Sequence, residues 1–182
     1  MEDFESAFAE QLRAVPERFR DESRFVPGAG RWDAAVVFVG EAPGSEEVEQ
    51  GQPFVGPAGR RLDGFLDEVG IDRDDVYLTN LVKVRSPENR DPTREEMDAW
   101  RPLLDAELER VDPAVVVCLG AFASRELLGE SGPLSELRGR TYEVDDHLVL
   151  PTFHPAATFY DDSITPMLER DLRVAADLGA DS

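Results

Sequence analysis

Short runs of apolar residues, each about the length of one buried strand, alternate along this chain with segments of helical periodicity. Residues 35–39 (AVVFV) lead into a glycine-rich loop, residues 76–79 lead into a polar segment, and residues 114–119 are followed by a glycine and a segment of helical periodicity. Such runs, separated by helices, are typical of a mainly parallel sheet with helices on both faces. The pattern predicts an α/β fold, a three-layer α/β/α structure around a central, mainly parallel four-stranded sheet. The predicted strands are residues 35–39, 76–79, 114–119 and 148–150, with 141–144 completing a hairpin, and the predicted helices are residues 4–12, 62–69, 93–111, 121–128 and 167–178.

The length of the chain bounds the number of domains. With 182 residues it can bury one large core and is short of what two full domains need. We therefore predict a single domain over residues 1–182, in which residues 1–31 form an N-terminal helix and an irregular segment packed on that domain. Pro102, inside the helix predicted for residues 93–111, predicts a kink or a break just before it.

Membrane and secretion signals are absent from the sequence pattern. No stretch approaches the roughly 18 to 20 uninterrupted apolar residues of a membrane span. Residues 1–8 carry three acids and no base, unlike a secretory signal. We expect neither secretion nor membrane insertion, and hence a cytoplasmic protein.

The charge balance of the chain is unusual. Acidic residues number 39 against 19 basic ones, the formal net charge is −20, and Lys83 is the single lysine. An acidic, lysine-poor surface keeps a protein hydrated at high salt, where its self-repulsion is screened. We therefore hypothesise a host with very high internal salt. Because phosphate contact normally relies on Lys and Arg, a nucleic-acid partner would have to be bound by local basic patches.

Metal-binding side chains are scarce. Cys118, the one cysteine, lies in an apolar run, which indicates a small buried residue and excludes an intramolecular disulfide or a multi-cysteine metal site. His147, beside the turn at Asp145 and Asp146, is predicted to be an exposed turn residue. We predict neither a metal site nor a cofactor.

Three polar clusters, residues 40–44, 80–90 and 154–157, come directly after predicted strands. Because ligands of open α/β sheets bind beyond the carboxyl ends of the strands, the clusters are expected to converge on one site. Residues 40–44 (GEAPG) lack the spacing of phosphate-binding loops, so they are either a structural turn or a turn that points the Glu41 carboxylate at a ligand. Phe54, in a Gly- and Pro-rich loop, is either a loop anchor or an aromatic that stacks on a base.

The order of seven short motifs gives the chain a specific resemblance. The motifs are Gly40-Glu41-Ala42-Pro43-Gly44, Pro53-Phe54-Val55-Gly56, Thr79-Asn80-Leu81-Val82-Lys83, Asn89-Arg90, Leu119-Gly120, Arg138-Gly139 and Thr152-Phe153-His154-Pro155-Ala156. Each motif alone is weak. The ordered set, which spans residues 32–171, resembles the thermostable, family-four branch of the uracil-DNA glycosylases.

The resemblance implies an enzyme of base excision repair that flips uracil out of DNA and hydrolyses its N-glycosidic bond, leaving an abasic site. Breaking this bond creates a cationic sugar and a uracil anion, so the site needs a donor to the base and a carboxylate near the sugar. By the match, His154 donates to the uracil carbonyl and Glu41 is the catalytic carboxylate. Glu47 is the second choice for the carboxylate that handles the water.

The same match implies how uracil and DNA are held. Asn80 reads the edge of the base with a donor and an acceptor, and Phe54 stacks on the base. The remaining uracil-binding residues are Gly40, Ala42, Pro43 and Gly44. Base flipping requires a grip on the strand. By their position after the second predicted strand and their residue types, the candidate DNA-binding residues are Lys83, Arg85, Asn89 and Arg90, and the resemblance adds Pro155, Ala156 and Ala157. The expected partner is uracil-containing DNA, bound by a monomer.

The chain departs from the family at one point. The resembling proteins usually hold an iron–sulfur cluster on four cysteines, two near the N-terminus, one directly after the matched lysine and one in the following helix. Here Val84 follows Lys83, Trp100 stands in that helix, and no cysteine precedes Trp32. We therefore expect no cluster, and apolar packing of Val84, Trp100 and Phe25 in its place.

Two other functions stay open at this level. A relative that binds uracil-containing or damaged DNA without cutting it fits the missing cluster and the acidic surface. The joint presence of Glu41, Phe54, Asn80 and His154 favours the enzyme, because a binder has no need of a carboxylate at the sugar. A nucleotide-binding α/β protein of another class is disfavoured, because no recognised phosphate loop is present.

Overall fold

The computed structural model describes residues 2–182, whose strands form one mixed sheet. The strands are β1 (Ala29–Gly30), β2 (Val36–Gly40), β3 (Tyr77–Asn80), β4 (Val115–Leu119), β5 (Tyr142–Val144) and β6 (His147–Thr152). Their order is β1-β3-β2-β4-β6-β5, in which the inner four run parallel and each edge strand runs antiparallel to its neighbour.

The α/β prediction is confirmed, but the sheet has six strands and not four. The two additional strands are the edges, which are only two and three residues long. Short edge strands carry no continuous apolar run, because one side of an edge faces solvent or a loop. The sequence therefore predicted the buried parallel strands and, as residues 141–144 of the hairpin, the edge strand β5, but it missed the edge strand β1.

Helices cover both faces of the sheet. They are α1 (Phe4–Ala7), α2 (Ala9–Ala14), α3 (Ser45–Gln50), α4 (Pro57–Val69), α5 (Arg94–Val111), α6 (Ala121–Leu128), α7 (Leu134–Leu137) and α8 (Thr165–Ala180). Short 3-10 turns lie at Glu17–Phe19, Glu22–Arg24, Arg73–Asp75, Pro87–Asn89, Pro155–Phe159 and Asp162–Ile164. Over residues 2–182, no helix combines the length and the apolar character needed to span a bilayer.

Successive residues of the central strand β2 supply two separate cores. Val37 and Val39 pack with α5, α6 and the N-terminal segment on one face. Val36 and Phe38 pack with α4 and α8 on the other. Because both faces are buried, the strand reads as a continuous apolar run and not as an alternating one. This arrangement confirms the predicted α/β/α layers.

Helix α5 continues through Pro102, so the break that the sequence offered as one of two alternatives is absent. Thr93 and Glu96 form a capping box at its start, which satisfies two of the free backbone N–H groups there. Farther along, Leu103 and Leu104 are 0% exposed, so the face beyond the proline is held by the core. Burial thus offsets the hydrogen bond that Pro102 cannot donate.

The predictions for Cys118 and His147, which the sequence did not assign to a metal site, have different outcomes. Cys118 is buried in β4, as predicted, and burial raises the pKa of its thiol. His147 was predicted to be an exposed turn residue, but it is half-buried as the first residue of β6, paired with Val144 of β5.

Candidate active site

The carboxyl ends of the parallel strands bring the predicted polar clusters together. β2 ends at Gly40 and β3 at Asn80, and these residues are paired in the parallel register. His154 follows the end of β6, on the other side of β4. A crevice of about 360 Å³ opens at this edge of the sheet. The predicted site residues that line it are Ala42, Pro43, Gly44, Glu47, Phe54, Asn80, Arg85, Asn89 and His154.

Gly40, at the end of β2, is a position of the site at which a side chain would not fit. A Cβ there would lie 2.5 Å from Asn80 Oδ1 and 2.6 Å from Phe54 Cζ. The glycine therefore lets the Asn80 amide and the Phe54 ring approach the end of β2. Asn80 is 4% exposed and Phe54 is 5% exposed, so packing holds both side chains in place without a ligand.

Phe54 has a left-handed backbone conformation, with φ at 54°. This conformation is rare for a bulky side chain and costs about 1–3 kcal/mol. Helix α4 packs closely on this backbone, since a Cβ at Gly59 would lie 1.9 Å from the Phe54 carbonyl oxygen. The ring faces His154, with centroids 6.5 Å apart and planes inclined by 28°. Backbone strain in a residue that lines a crevice points to a ligand site, beyond a loop anchor.

His154 is largely buried and its tautomer is defined by the backbone. Its Nδ1 accepts a hydrogen bond from the N–H of Ala156 at 3.1 Å, so the proton of a neutral ring resides on Nε2. Burial lowers the pKa of His154 below its ordinary value, and the charge of Glu47 opposes this in part. At neutral pH His154 is thus a neutral imidazole with an Nε2–H donor available in the crevice.

The segment that carries His154 is anchored on both sides. Before it, Thr152 Oγ1 donates to the buried carboxylate of Asp171 at 2.6 Å. After it, Thr158 Oγ1 accepts from Arg61 Nε at 3.0 Å. The first bond ties the segment to α8 and the second ties it to α4. The imidazole is therefore fixed by two helices on the same face of the sheet.

Glu41 follows the end of β2 and is half-buried. Its backbone carbonyl accepts from the N–H of Val82 at 3.2 Å, which ties the loop after β2 to the segment after β3. Burial, and secondarily the neighbouring carboxyl of Asp91, raise the pKa of Glu41 to about 7. A carboxyl group that titrates near neutral pH is suited to accept a proton in catalysis. The sequence did not single out Asp91.

Glu47 lies in the crevice and also caps a helix. Its Oε1 accepts from the backbone N–H of Gly56 at 3.1 Å, at the amino end of α4. Free N–H groups and the helix dipole stabilise a carboxylate there. Gly44 leaves room for it, because a Cβ on that residue would lie 2.9 Å from Glu47 Oε2. Glu47 is therefore a fixed negative charge beside His154.

The prediction that Lys83 contacts DNA is wrong, because this side chain is 0% exposed. Its Nζ lies 2.6 Å from Glu107 Oε2 and donates to the backbone carbonyl of Asn80 at 2.6 Å. The other carboxylate oxygen accepts from Tyr77 Oη at 2.9 Å and from Thr79 Oγ1 at 2.8 Å. A buried ammonium is stable only when it is paired in this way. Lys83 therefore positions the backbone of Asn80 from beneath.

Three other predicted DNA-binding residues belong to the loop after β3. Arg85 and Asn89 line the crevice. Asn89 is left-handed, with φ at 55°, which asparagine tolerates better than most residues. Arg90 is exposed, and its guanidinium bonds both oxygens of Glu96 at 2.6 and 2.9 Å. The loop thus presents Arg85 and Asn89 to a ligand and uses Arg90 largely to brace itself on α5.

The predicted DNA-binding segment after His154 is only partly accessible. Pro155 is buried, which contradicts its assignment to DNA contact, while Ala156 and Ala157 are half-buried. Packing of the 3-10 turn on α4 covers the proline ring. Next to them, Phe159 is 53% exposed and Tyr160 is 91% exposed, the exposed large hydrophobic side chains of the described chain. Sequence reasoning missed these two, although adjacent aromatics after a matched motif were the signal.

The region that carries the cluster cysteines in the resembling family is filled by Phe25, Val84 and Trp100, here called the apolar brace. The rings of Phe25 and Trp100 lie 6.3 Å apart with planes inclined by 25°, and Phe25 bridges Val84 through the backbone. This confirms the expected packing. Cys118 lies within the sheet, so these side chains do not fit an iron–sulfur cluster, which requires several thiolate ligands.

The fold and the site together define an α/β protein with a preformed, partly polar crevice at the carboxyl ends of its parallel strands. Comparison with known proteins narrows this class. Residues 27–173 match the family model for the uracil DNA glycosylase superfamily. The chain belongs to this superfamily, as the ordered motifs predicted.

The sequence of the chain is similar to those of several type-4 uracil-DNA glycosylases. It is 40% identical over 167 residues to the type-4 uracil-DNA glycosylase of Archaeoglobus fulgidus, covering 87% of this chain and 84% of that protein. It is 45% identical over 133 residues to the type-4 enzyme of Thermotoga maritima, covering 72% and 69%. It is 40% identical over 157 residues to that of Saccharolobus solfataricus, covering 81% and 73%. These similarities confirm the resemblance to the thermostable, family-four branch.

Proposed function

We propose that this protein is a uracil-DNA glycosylase that hydrolyses the N-glycosidic bond of a flipped-out uracil. One observation carries the proposal. A neutral histidine with a free Nε2–H, a buried amide and an aromatic ring converge in one crevice, at His154, Asn80 and Phe54. Uracil offers a flat face, two carbonyl oxygens and a ring N–H, which these three groups complement. The type-4 enzymes similar to this chain support the same activity.

His154 is proposed to act on the leaving group. As the bond between C1′ and N1 breaks, its electron pair stays with the base and negative charge grows on the adjacent carbonyl oxygen. The Nε2–H donates to that oxygen, while the Ala156 N–H holds the ring in its productive orientation. A preorganised donor of this kind typically contributes about 10²–10³ in rate.

The carboxylates are proposed to act on the sugar. The deoxyribose becomes an oxocarbenium-like cation, and a water molecule adds to C1′ as its proton passes to a base. Glu41, with its pKa raised to about 7, is proposed as that base. Glu47 is proposed as the fixed negative charge that stabilises the cation. The uracil anion takes up a proton on release, which balances the one lost by the water.

We further propose that the reaction stops at the abasic site. A glycosylase that also cuts the strand attacks the sugar with an amine and forms a Schiff base. Lys83 is the single lysine of the chain, and its amine is buried against Glu107. This burial supports a monofunctional enzyme. None of the proposed steps requires a metal or another cofactor.

The DNA strand is proposed to be held from both sides of the crevice. Extruding a base costs a few kcal/mol of pairing and stacking, which contacts to the backbone must offset. Arg85 and Asn89 are placed on one side, and Ala156 and Ala157 on the other. Tyr160, beyond the alanines, is proposed to fill the gap that the flipped base leaves in the stack. A monomer provides all of these groups.

A high working salt concentration is proposed from the charge of the chain. The formal net charge of −20 repels DNA at low ionic strength, and salt screens this repulsion at the same time as it weakens the phosphate contacts. Activity that rises from dilute buffer to molar KCl is the expected result. Full refolding and full activity in dilute buffer would argue against a host with high internal salt.

A single-turnover assay on an oligonucleotide with one uracil tests the activity, at low and at multimolar KCl. Strand cleavage only after alkali is expected for the wild type and for Arg173→Ala, an exposed arginine on α8. Glu41→Ala and His154→Ala are expected to lose the product. No product from the wild type at any salt, with uracil-dependent binding retained, would establish instead a protein that binds damaged DNA without cutting it.

A further inference from the structure

A second cleft, of about 240 Å³, lies beside the active-site crevice. Its walls are the N-terminal segment 18–24 and the loop after β3, and Trp100 forms its floor. The arginines that line it are Arg18, Arg24, Arg85 and Arg90. The acids that line it are Asp21 and Glu96. This arginine cleft thus reverses the balance of the whole chain, in which 39 acids outnumber 19 bases.

Backbone hydrogen bonds fix the two walls against each other. The Arg85 N–H donates to the carbonyl of Arg24 at 3.2 Å, and the Val26 N–H donates to the carbonyl of Lys83 at 2.7 Å. Between these bonds lies the bridge of Phe25 to Val84, packed on Trp100. The apolar brace therefore sets the N-terminal arginines beside Arg85.

Arg85 connects the arginine cleft to the active-site crevice, because it lines both. It forms no ion pair with any residue of the described chain, 2–182. Its Nε is buried and has no hydrogen-bond acceptor within that same range. A buried donor without an acceptor costs about 1–3 kcal/mol, so an anion bound there would be stabilised. The junction of the two cavities is thus prepared for an anionic ligand.

The two arginines of the N-terminal segment, Arg18 and Arg24, form only weak, solvent-exposed ion pairs. Arg24 Nε lies 3.8 Å from Asp21 Oδ2, with side chains 41% and 50% exposed. Arg18 pairs with Glu95, with side chains 64% and 67% exposed. Exposed pairs contribute about 0–1 kcal/mol, whereas an arginine can bond a phosphate through two parallel N–H groups. Both arginines can therefore exchange a carboxylate for a phosphate at low cost.

We propose that the arginine cleft binds the phosphate backbone of the uracil-containing strand on one side of the flipped nucleotide. Arg85 takes the phosphate next to the crevice, and Arg24 and Arg18 take phosphates farther along the strand. This inference rests on the proposed glycosylase function. Both N-terminal arginines precede residues 27–173, the part that matches the superfamily. The cleft is a local basic patch of the kind that so acidic a chain needs to hold DNA.

The test uses the double variant Arg18→Ala/Arg24→Ala in single-turnover excision on a single-stranded oligonucleotide. The enzyme concentration for half-maximal rate is expected to rise about tenfold, and the rate at saturation is expected to stay unchanged. Two lost phosphate contacts on a single strand reduce the slope of log affinity against log salt by about 1.4. Arg18→Lys/Arg24→Lys, which keeps both charges, should restore most of that slope.

Two oligonucleotides that each extend on only one side of the uracil test on which side of the flipped nucleotide the arginine cleft binds the strand. The wild type is expected to bind one of them more tightly, and the double alanine variant should lose that preference. Arg110→Ala is the matched control, since this exposed arginine lies at the end of α5 near the amino ends of the strands. An equal loss of affinity in Arg110→Ala would overturn the proposal, because bulk charge would then explain the effect.

The proposal for the arginine cleft and the proposal of glycosylase activity would be contradicted by different results. If the wild type binds the oligonucleotides but releases no uracil, the proposed activity fails. Fluorescence anisotropy with the same variants then still tests the cleft. If the double variant keeps the affinity and the salt slope of the wild type, the cleft does not bind the strand, whether or not uracil is excised. The melting temperature of each variant shows that the compared proteins are folded.

Discussion

The active-site crevice and the apolar brace lie on opposite sides of the same loop, residues 80–90, and they are built in opposite ways. The crevice holds a strained Phe54, a buried Asn80 and a desolvated His154. The brace holds stacked rings and a backbone bridge, with no titratable group. Groups that serve chemistry reduce stability where they lie, and the packing beside them offsets that loss.

The difference shows which parts of a site can be replaced. In the resembling family, cysteines hold a cluster where this chain places Val84 and Trp100. A brace needs only to fill space and to fix a loop, so apolar packing can replace thiolate ligands. The proposed chemistry requires a donor, an amide and a carboxylate at set positions, and this chain has His154, Asn80 and Glu41 for them.

The largest effect is expected on the free energy of unfolding, when a substitution removes part of the apolar brace. Trp100 is 1% exposed, so Trp100→Ala leaves a cavity and should lower the free energy of unfolding by about 3–5 kcal/mol. Chemical denaturation at fixed salt measures this loss. Trp100→Phe, which keeps a ring against Phe25, should lose clearly less. A melting temperature for Trp100→Ala equal to that of the wild type would show that the brace does not stabilise the fold.

In the active-site crevice, a substitution with a free-energy cost of similar size is expected to slow the reaction and to leave the stability of the fold largely unchanged. His154→Ala removes the Nε2–H donor and is expected to slow the chemical step by about 10²–10³. Affinity for uracil-containing DNA should change far less, since the donor acts mainly on the charge that develops during the reaction. Single-turnover rates with binding isotherms separate the two, and equal turnover by the variant would remove His154 from the mechanism.

The protonation of Glu41 should control the acid side of the pH profile. Because burial and Asp91 raise the pKa of Glu41 to about 7, the ionised base is lost as pH falls through that value, and the rate should fall about tenfold per pH unit below it. Burial lowers the pKa of His154, so its ring takes up a proton only at a lower pH than an ordinary histidine does.

Asp91→Asn sharpens the same test. Removing the neighbouring acid should lower the pKa of Glu41, so the midpoint of the acid limb should move to lower pH while the rate on the alkaline plateau stays close to that of the wild type. A variant midpoint that coincides with the wild-type midpoint would show that Asp91 does not act on Glu41. Excision rates under single turnover across the acid range measure both midpoints.

The smallest expected effect concerns Tyr160, which touches neither the brace nor the crevice core. Its side chain is 91% exposed, so Tyr160→Ala should leave the melting temperature unchanged. On duplex substrate the affinity should fall about five- to tenfold, because stacking on one base contributes about 1–3 kcal/mol. Tyr160→Phe keeps the ring and should behave as the wild type. An equal loss on single strands would contradict a role in filling the base stack.

The sequence predicted most of the crevice because its residues follow apolar strands. Gly40, Asn80 and His154 each come just after a run that reads as a buried strand, and parallel strands present their carboxyl ends at one edge. Lys83 follows the same strand as Asn80 and was assigned to DNA because it is basic and lies at the end of that strand. Only the position of Glu107 on α5, which is distant in sequence, determines that this lysine is buried.

The apolar runs and the ordered motifs thus determined the layers of the fold, the central parallel strands and the chemical groups at their ends. Hydrophobic periodicity and residue type are local properties, so they can be identified from a single sequence. Tertiary structure alone decided the Lys83–Glu107 pair, the influence of Asp91 on Glu41, the strain at Phe54 and the meeting of Arg24 with Arg85. Each of these depends on a contact between segments far apart in the chain, and burial sets its energy.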